Sequence, residues 1–305
     1  MAFTAKDVAV LREKTGCGMM DCKNALTESN GDMDKAIELL REKGLAAAAK
    51  KSGRIAAEGL VYTASDSAKK VGVIVEVNSE TDFVAKNADF QNFVAGIANA
   101  VVNNKPADVD ALFDCKYDDK DTVAEVLREK ILKIGENMKI RRFVRIDGDT
   151  VSYIHGGGRI GVLVDFDTDV ASNEKFEEFG KDVAMQIAAL NPLYLSNSDV
   201  PEEVIASEKD ILMVQIQNDP KNASKPENII EKMVEGRIRK YYEENCLLNQ
   251  AYVKDGAISV AKYVENTAKE MGGKITVKSF VRFEKGEGLE KREDNFADEV
   301  ANMVK

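Results

Sequence analysis

One histidine and four cysteines in 305 residues leave little for metal or redox chemistry. The cysteines, Cys17, Cys22, Cys115 and Cys246, form no Cys-x-x-Cys pair. A structural zinc site would need two such pairs, or cysteines with histidines. Free, partly buried thiols are expected, with neither a metal nor a cofactor. No run of roughly 18 apolar residues occurs, so no transmembrane helix is expected. The start, Met1-Ala2-Phe3-Thr4-Ala5-Lys6-Asp7, has no apolar core and reaches an acid early. Neither a secretory signal nor a transit peptide is expected, and the cytoplasm is the default compartment. Walker sequences, His-Glu-x-x-His helices and Gly-x-Ser-x-Gly elbows are lacking too. Positive charge is short as well. The net charge is −10; residues 1–55 carry a balance of +2, which leaves −12 for the rest. That excludes a broad basic footprint for nucleic acid and suits a protein that meets other proteins.

What is present is ordinary soluble composition, 44% apolar and 31% charged, in a chain long enough for two or three structural units. The first 45 residues predict a tight three-helix unit. Thr4 and Asp7 fit a capping box ahead of Val8 and Leu11. Thr15-Gly16-Cys17-Gly18 breaks the first helix, and a second covers residues 19–29. Asp32 caps a third, with Ile37 and Leu40 facing in and Gly44 ending it. Residues 45–55 read as an alanine-rich helical linker.

A repeat follows. Gly72-Val73-Ile74-Val75-Glu76-Val77 is mirrored by Gly161-Val162-Leu163-Val164-Asp165-Phe166. Each run is strand-like and is preceded by another strand, at residues 60–62 and 151–153. Each is followed by a helix with the same apolar steps: Phe90, Phe93, Ile97 and Val101, then Phe176, Phe179, Val183 and Ile187. Phe143-Val144-Arg145-Ile146 and Phe280-Val281-Arg282-Phe283 predict one further strand for each copy. Helices near 121–133 and 256–271 complete them. Two hairpin-plus-helix units with antiparallel sheets make an α+β fold.

Between the second copy's helix and its last strand, Pro201-Glu202-Glu203 opens a helix striped by Val204, Ile211 and Val214, which stops at Asn218-Asp219-Pro220. Ser224 and Glu227 start a return helix carrying Ile230, Val234, Ile238 and Tyr241. Together they predict a protruding helical hairpin. A last helix over residues 294–304 carries Phe296, Val300 and Met303.

The copies differ at one place. Twelve residues separate Val77 from Phe90, and nine separate Phe166 from Phe176. The three extra residues fall in Asn78-Ser79-Glu80-Thr81-Asp82-Phe83-Val84-Ala85-Lys86. Taken on the residues alone, Phe83 is better read as a satellite core residue; the alternative is an aromatic anchor for a partner, with Asp82 beside it. Met19 and Met20 allow the same two readings, with core filling favoured. Ile134-Gly135-Glu136-Asn137 reads as an ordinary helix stop. Gly156, Gly158 and Gly161 match the spacing of a dinucleotide fingerprint, but a strand rather than a helix follows, so a hairpin turn is expected. His155 has no evident nucleophile nearby in sequence to serve.

Several of these segments resemble those of the elongation factor Ts family. They are Leu11-Arg12-Glu13-Lys14-Thr15-Gly16-Cys17-Gly18-Met19-Met20-Asp21-Cys22-Lys23, Thr81-Asp82-Phe83-Val84-Ala85, Lys133-Ile134-Gly135-Glu136-Asn137, Tyr153-x-His155-Gly156, Arg159-Ile160-Gly161-Val162-Leu163-Val164, Glu231-Lys232-Met233-Val234-Glu235-Gly236-Arg237 and Phe283-Glu284-Lys285-Gly286-Glu287-Gly288. The likeness runs in order over essentially the whole chain. Cys17, where the family often has a small residue, and an acidic segment at 108–121 set this chain apart.

The resemblance implies five parts. A ubiquitin-associated-like three-helix domain and linker would span 1–55, and a first core subdomain 56–148. A second core subdomain would span 149–200 and 245–290, a coiled-coil hairpin 201–244, and a C-terminal helical module 291–305. It implies a non-enzymatic guanine-nucleotide exchange factor that binds elongation factor Tu, both with GDP and nucleotide-free. Arg12, Met19 and Met20 would meet Tu's nucleotide-binding domain. Thr81, Asp82, Phe83 and Val84 would insert near its Mg2+ site, supported by Ile134 and Gly135, and His155 would meet a distal β-barrel domain. No nucleic acid or membrane is implied as a partner, and a homodimer is left open. Two competing classes are an enzyme built on His155 and the glycine turn, and an adaptor built on the N-terminal bundle and the hairpin.

Overall fold

A computed structural model of the chain describes residues 3–15, 17, 19–220 and 225–290. Gly16 and Gly18, Ser224 and the expected helix at 294–304 with Phe296, Val300 and Met303 lie outside the described residues.

Three helices open the chain: α1 (Ala5–Thr15), α2 (Met19–Glu28) and α3 (Met33–Lys51). Thr4 and Asp7 form the expected box: the Thr4 amide donates to Asp7 Oδ2 at 2.7 Å, and the Asp7 amide to Thr4 Oγ1 at 3.4 Å. Asp32 caps α3 by accepting from the amides of Asp34 and Lys35. Val8, Leu11, Leu26 and Leu40 fill a small core. Gly44 does not end α3, which continues through the alanine run to Lys51. The glycine serves an approach instead: a methyl there would stand 3.7 Å from the Arg128 carbonyl oxygen and 3.9 Å from Leu132. The bundle is therefore joined to the rest by a continuous helix and by contact.

The first sheet has β1 (Glu58–Asp66), β2 (Val71–Ser79) and β3 (Met138–Asp147), antiparallel, with β2 central. A one-turn helix α4 (Asp82–Ala85) leads into α5 (Ala88–Asn104). Then come the short α6 (Val109–Phe113) and α7 (Val123–Ile134). The second sheet has β4 (Asp149–His155), β5 (Ile160–Thr168) and, far along the chain, β8 (Ile275–Glu284), with β5 central. Its helices are α8 (Phe176–Leu190) and α11 (Val260–Met271). The latter starts four residues later than expected. Gly256 lies in a small hairpin of β6 (Ala251–Tyr252) and β7 (Asp255–Ser259), and Ser259 caps the helix. The repeat extends to irregularities. Register shifts at Glu76/Val77 in one sheet and at Asp165/Phe166 in the other, the same place in each copy.

Alternation on the central strands builds three layers of core. Val71, Val73, Val75 and Val77 face α5 and α7, where Phe90, Phe93, Ile97 and Val101 are buried. Val162, Val164 and Phe166 face α8 and α11 in the same way. The opposite faces of the sheets pack on each other through Val61, Ile74, Leu163 and Phe283. Side chains at i and i+2 share a face, so the glycines heading both central strands point into this seam. A methyl on Gly72 would lie 2.7 Å from Leu163 Cδ1, and one on Gly161 would lie 2.4 Å from Val61 Cγ1. Gly161→Val is expected to cost about 2 kcal/mol, as overpacking of a tight seam does. Chemical denaturation measures it, and an unchanged midpoint would mean that the sheets can part without loss.

Helices α9 (Glu202–Asn218) and α10 (Glu227–Asn245) form the inserted hairpin. Ile216, Val234 and Ile238 are buried between them, with Leu212, Met213 and Ile230 against them. The stripe expected on α9 is wrong in part. Ile211 and Val214 are 47% and 55% exposed. Residues 211–214 are apolar all round, so helical period alone does not choose the face; contact with α10 does. On α10, Tyr242 rather than Tyr241 joins the seam. Among the described residues no helix is long and apolar enough to cross a membrane.

A cavity of about 180 Å3 lies between the bundle and α7, lined by Cys17, Ile37, Leu40, Leu132, Arg41 and Glu129 among others. Burial pushes the Glu129 carboxyl above the ordinary range, and the charges of Asp121 and Glu125 add to this against Arg41 and Lys130. A carboxyl raised in the folded state loses stability as pH climbs past its unfolded value near 4.3. Glu129→Gln should therefore melt higher than the parent chain at pH 7, with the difference closing below about pH 4. Thermal melts over that range check it, and a constant gap would contradict the assignment.

Candidate functional site

The extra residues of the first copy form a short, pinned projection. Ser79 ends β2, and its hydroxyl donates to the Thr81 carbonyl at 3.0 Å. Thr81 then caps α4, its hydroxyl accepting from the Val84 amide at 3.4 Å. A helix of four residues cannot sustain itself, since its nucleus costs more than one turn returns. Side chains from elsewhere hold it. Glu136, just past the end of α7, accepts from the Glu80 amide at 3.1 Å and the Thr81 amide at 3.0 Å through one oxygen. Its other oxygen accepts from the Thr81 hydroxyl at 2.7 Å. Glu80 answers by accepting from the Asn137 amide at 2.5 Å and from Arg54 at 3.4 Å. The Asn137 side chain ties back to the Arg54 carbonyl at 2.8 Å.

Successive residues of a helix point about 100° apart. Val84 turns inward and is buried on the first core, so Phe83 turns out. Phe83 is 79% exposed. The satellite-core reading of this residue is thus overturned: the turn that buries Val84 denies Phe83 the interior. Leaving such a side chain in water forgoes about 1.5–3 kcal/mol of burial. Asp82 is half-exposed and paired with Lys86 at 2.5 Å. That hydrogen bond, with the charges of Lys86 and Lys285, holds its carboxyl below the usual range against the opposing effect of desolvation.

Ile134 and Gly135 adjoin this projection through Glu136. Ile134 is half-buried against the first core. Gly135 closes α7 in the left-handed conformation, its amide donating to Ile131 O at 3.0 Å. Arg12 is exposed on α1, and Met19 and Met20, at the start of α2, are 50% and 62% exposed. The core-filling reading of the two methionines fails, because Cys22, Ala25 and Leu26 take the inward face of α2. His155 is exposed at the end of β4, its Nδ1 3.1 Å from the Tyr153 hydroxyl. The glycine turn after it leads into β5, as a hairpin does.

The structure thus joins Thr81, Asp82, Phe83, Val84, Ile134 and Gly135 in one place. Arg12, Met19 and Met20 lie on the bundle, and His155 on the second sheet. Sequence reading missed Glu80, Glu136, Asn137 and Arg54. The only signal was the Glu-Asn pair following Gly135, which reads equally well as a helix stop. Among the described residues no group of three or more His, Cys, Asp or Glu is placed to hold a metal ion.

The chain resembles known proteins along its length. The family profile described as Elongation factor TS matches residues 80–287. The chain is 56% identical over 304 residues to the Elongation factor Ts of Clostridium perfringens strain ATCC 13124, covering 99% of each chain. It is 54% identical over 305 residues to that of Clostridium botulinum strain Eklund 17B, again over 99% of each. To that of Syntrophotalea carbinolica it is 50% identical over 309 residues, the whole of both chains.

Proposed function

The chain belongs to the elongation factor Ts family of translation factors, and we propose that it acts on elongation factor Tu as a guanine-nucleotide exchange factor. The observation that carries this is Phe83, an aromatic side chain held in water on a turn pinned by Glu136. In this reading the loop of Thr81, Asp82, Phe83 and Val84 enters beside Tu's Mg2+ and phosphate site. Mg2+ demands near-ideal octahedral geometry and bridges protein, water and phosphate. A wedge that shifts those ligands by about an ångström weakens GDP binding with no bond made or broken. No catalytic acid or base is required.

Coupling makes the cycle turn. If the chain lowers Tu's affinity for GDP, nucleotide lowers Tu's affinity for the chain by the same factor. Incoming GTP therefore expels the factor. The apolar Met19 and Met20, with Arg12, would supply a second contact on the nucleotide-binding domain. Ile134 and Gly135 would buttress the loop, and His155 would supply a contact on a distal domain. The division of labour follows the five parts expected from the sequence: 1–55 for docking, 56–148 for the wedge, 149–200 with 245–290 for the distal contact, 201–244 as the hairpin and 291–305 as the terminal module.

The test is release of fluorescent GDP from purified Tu at fixed Mg2+. Substoichiometric chain should accelerate release manyfold. No acceleration by a folded sample with its cognate Tu would leave the fold without this activity.

A further inference from the structure

We propose that Glu136 is a positioning residue for nucleotide exchange, holding the turn that presents Phe83; the inference rests on the reading of Phe83 as the wedge. Three donors converge on one carboxylate: the amides of Glu80 and Thr81, and the Thr81 hydroxyl. The same hydroxyl oxygen accepts from Val84, so a single chain of hydrogen bonds runs from Glu136 through Thr81 into the helix that carries Phe83. Glu80 and Asn137 close the clasp from the other side. Each of two turns, one before α4 and one after α7, thus lends a carboxylate to the other's amides.

The device replaces packing. Val84 is the one residue among Thr81, Asp82, Phe83 and Val84 that reaches the core, and one buried side chain fixes a turn in only one direction. An exposed aromatic on a loosely held turn loses its effect as a wedge, because the cost of ordering it then falls on the step that displaces the nucleotide. Glu136 does that ordering beforehand. It is half-buried and sits behind the turn, while Phe83 projects ahead of it.

The substitution Glu136→Ala removes both acceptor oxygens and with them all three hydrogen bonds. It is expected to lower the maximal stimulated rate of GDP release about tenfold, the range of a lost charge-assisted network, while the concentration of chain giving half-maximal stimulation stays the same. Glu136→Gln should restore most of the rate. Its carbonyl can accept from both amides and its NH2 can donate to the Thr81 hydroxyl, which then serves as acceptor only.

Because Glu136 acts through Phe83, Glu136→Ala should slow release no further in a Phe83→Ala background. Hydrogen exchange of the Thr81 and Val84 amides in the free chain should quicken about tenfold in Glu136→Ala, with the global melt retained. Normal release by Glu136→Ala, or slowing that multiplies with Phe83→Ala, overturns the positioning role. So does unchanged protection of the two amides. If Phe83→Ala itself exchanges normally, the wedge reading falls instead, and this inference falls with it.

Discussion

Phe83→Ala is expected to lower the maximal rate of GDP release from elongation factor Tu about a hundredfold, roughly 2.7 kcal/mol, in the range of aromatic hot spots. The melting temperature should not move. With 79% of its surface in water, Phe83 contributes little to the folded state, and exposed substitutions usually fall within about 0.5 kcal/mol. The combination separates a working residue from a structural one. Stopped-flow release of fluorescent GDP gives the rate, and a thermal melt of the same sample gives the control. A second consequence comes from linkage. If Phe83 is what weakens the nucleotide, its loss should raise the GDP affinity of the Tu complex by the factor of coupling removed. A rate within about threefold of the parent chain, with the fold intact, would sink the wedge. Asp82→Ala should do less, because its charge is already shared with Lys86.

The sequence made the sheets and their helices legible, because each residue's environment there follows from its neighbours one turn or one pleat away. Matching steps from Phe90 to Val101 and from Phe176 to Ile187 predicted two buried helix faces, and both are buried. What was not legible depends on partners distant in the chain. Gly44 looks like a helix stop until Arg128 is known to lie against it. Ile211 and Leu212 are equally apolar, and only α10 decides which is covered. The clasp joins residues 55 to 57 positions apart, a separation that no local pattern encodes. Exposure of Phe83 is the sharpest case. Propensity favours burying an aromatic side chain, and the structure overrides it because Val84 takes the inward position. The length difference between the copies marked the candidate site, but the side chain's direction came only with the fold.

Glu76→Ala is expected to destabilise the chain by about 3 kcal/mol, the low end for breaking a buried ion pair. The low end applies because the Arg141 and Arg142 side chains, 21% and 31% exposed, keep some water when abandoned. Glu76 itself is fully buried on the face of β2 that meets the second sheet. The register shift leaves Arg141 as the extra residue of β3, so two consecutive arginines reach one carboxylate, at 3.0 and 2.6 Å. The Gly286 amide donates to the same group at 2.8 Å, and Arg142 lies 4.1 Å above the Phe283 ring. The second copy keeps the plan with less force: Lys278 is the extra residue, it pairs with Asp165 at 2.9 Å, and Asp165 Oδ1 has no hydrogen-bond partner among the described residues. Asp165→Ala should accordingly cost less than Glu76→Ala. Acidity gives an independent check. Burial would raise the Glu76 carboxyl, but the hydrogen bonds from Gly286, Asn78 and Arg142, with the Arg142 charge, outweigh it and hold the group below the usual range. A depressed carboxyl contributes its stability above the unfolded value near 4.3 and loses it as pH falls through the lower folded value. Urea unfolding should therefore show a gap between parent and Glu76→Ala that is full at pH 7 and narrows below about pH 4. A gap that stays constant with pH would mean that the cost is packing alone. The consequence reaches the site, because Gly286 follows Lys285, which pairs with Glu58 and helps set the charge around Asp82. Loosening the seam at Glu76 should weaken that support, so the variant's loss of exchange should track its loss of stability, whereas Phe83→Ala separates the two.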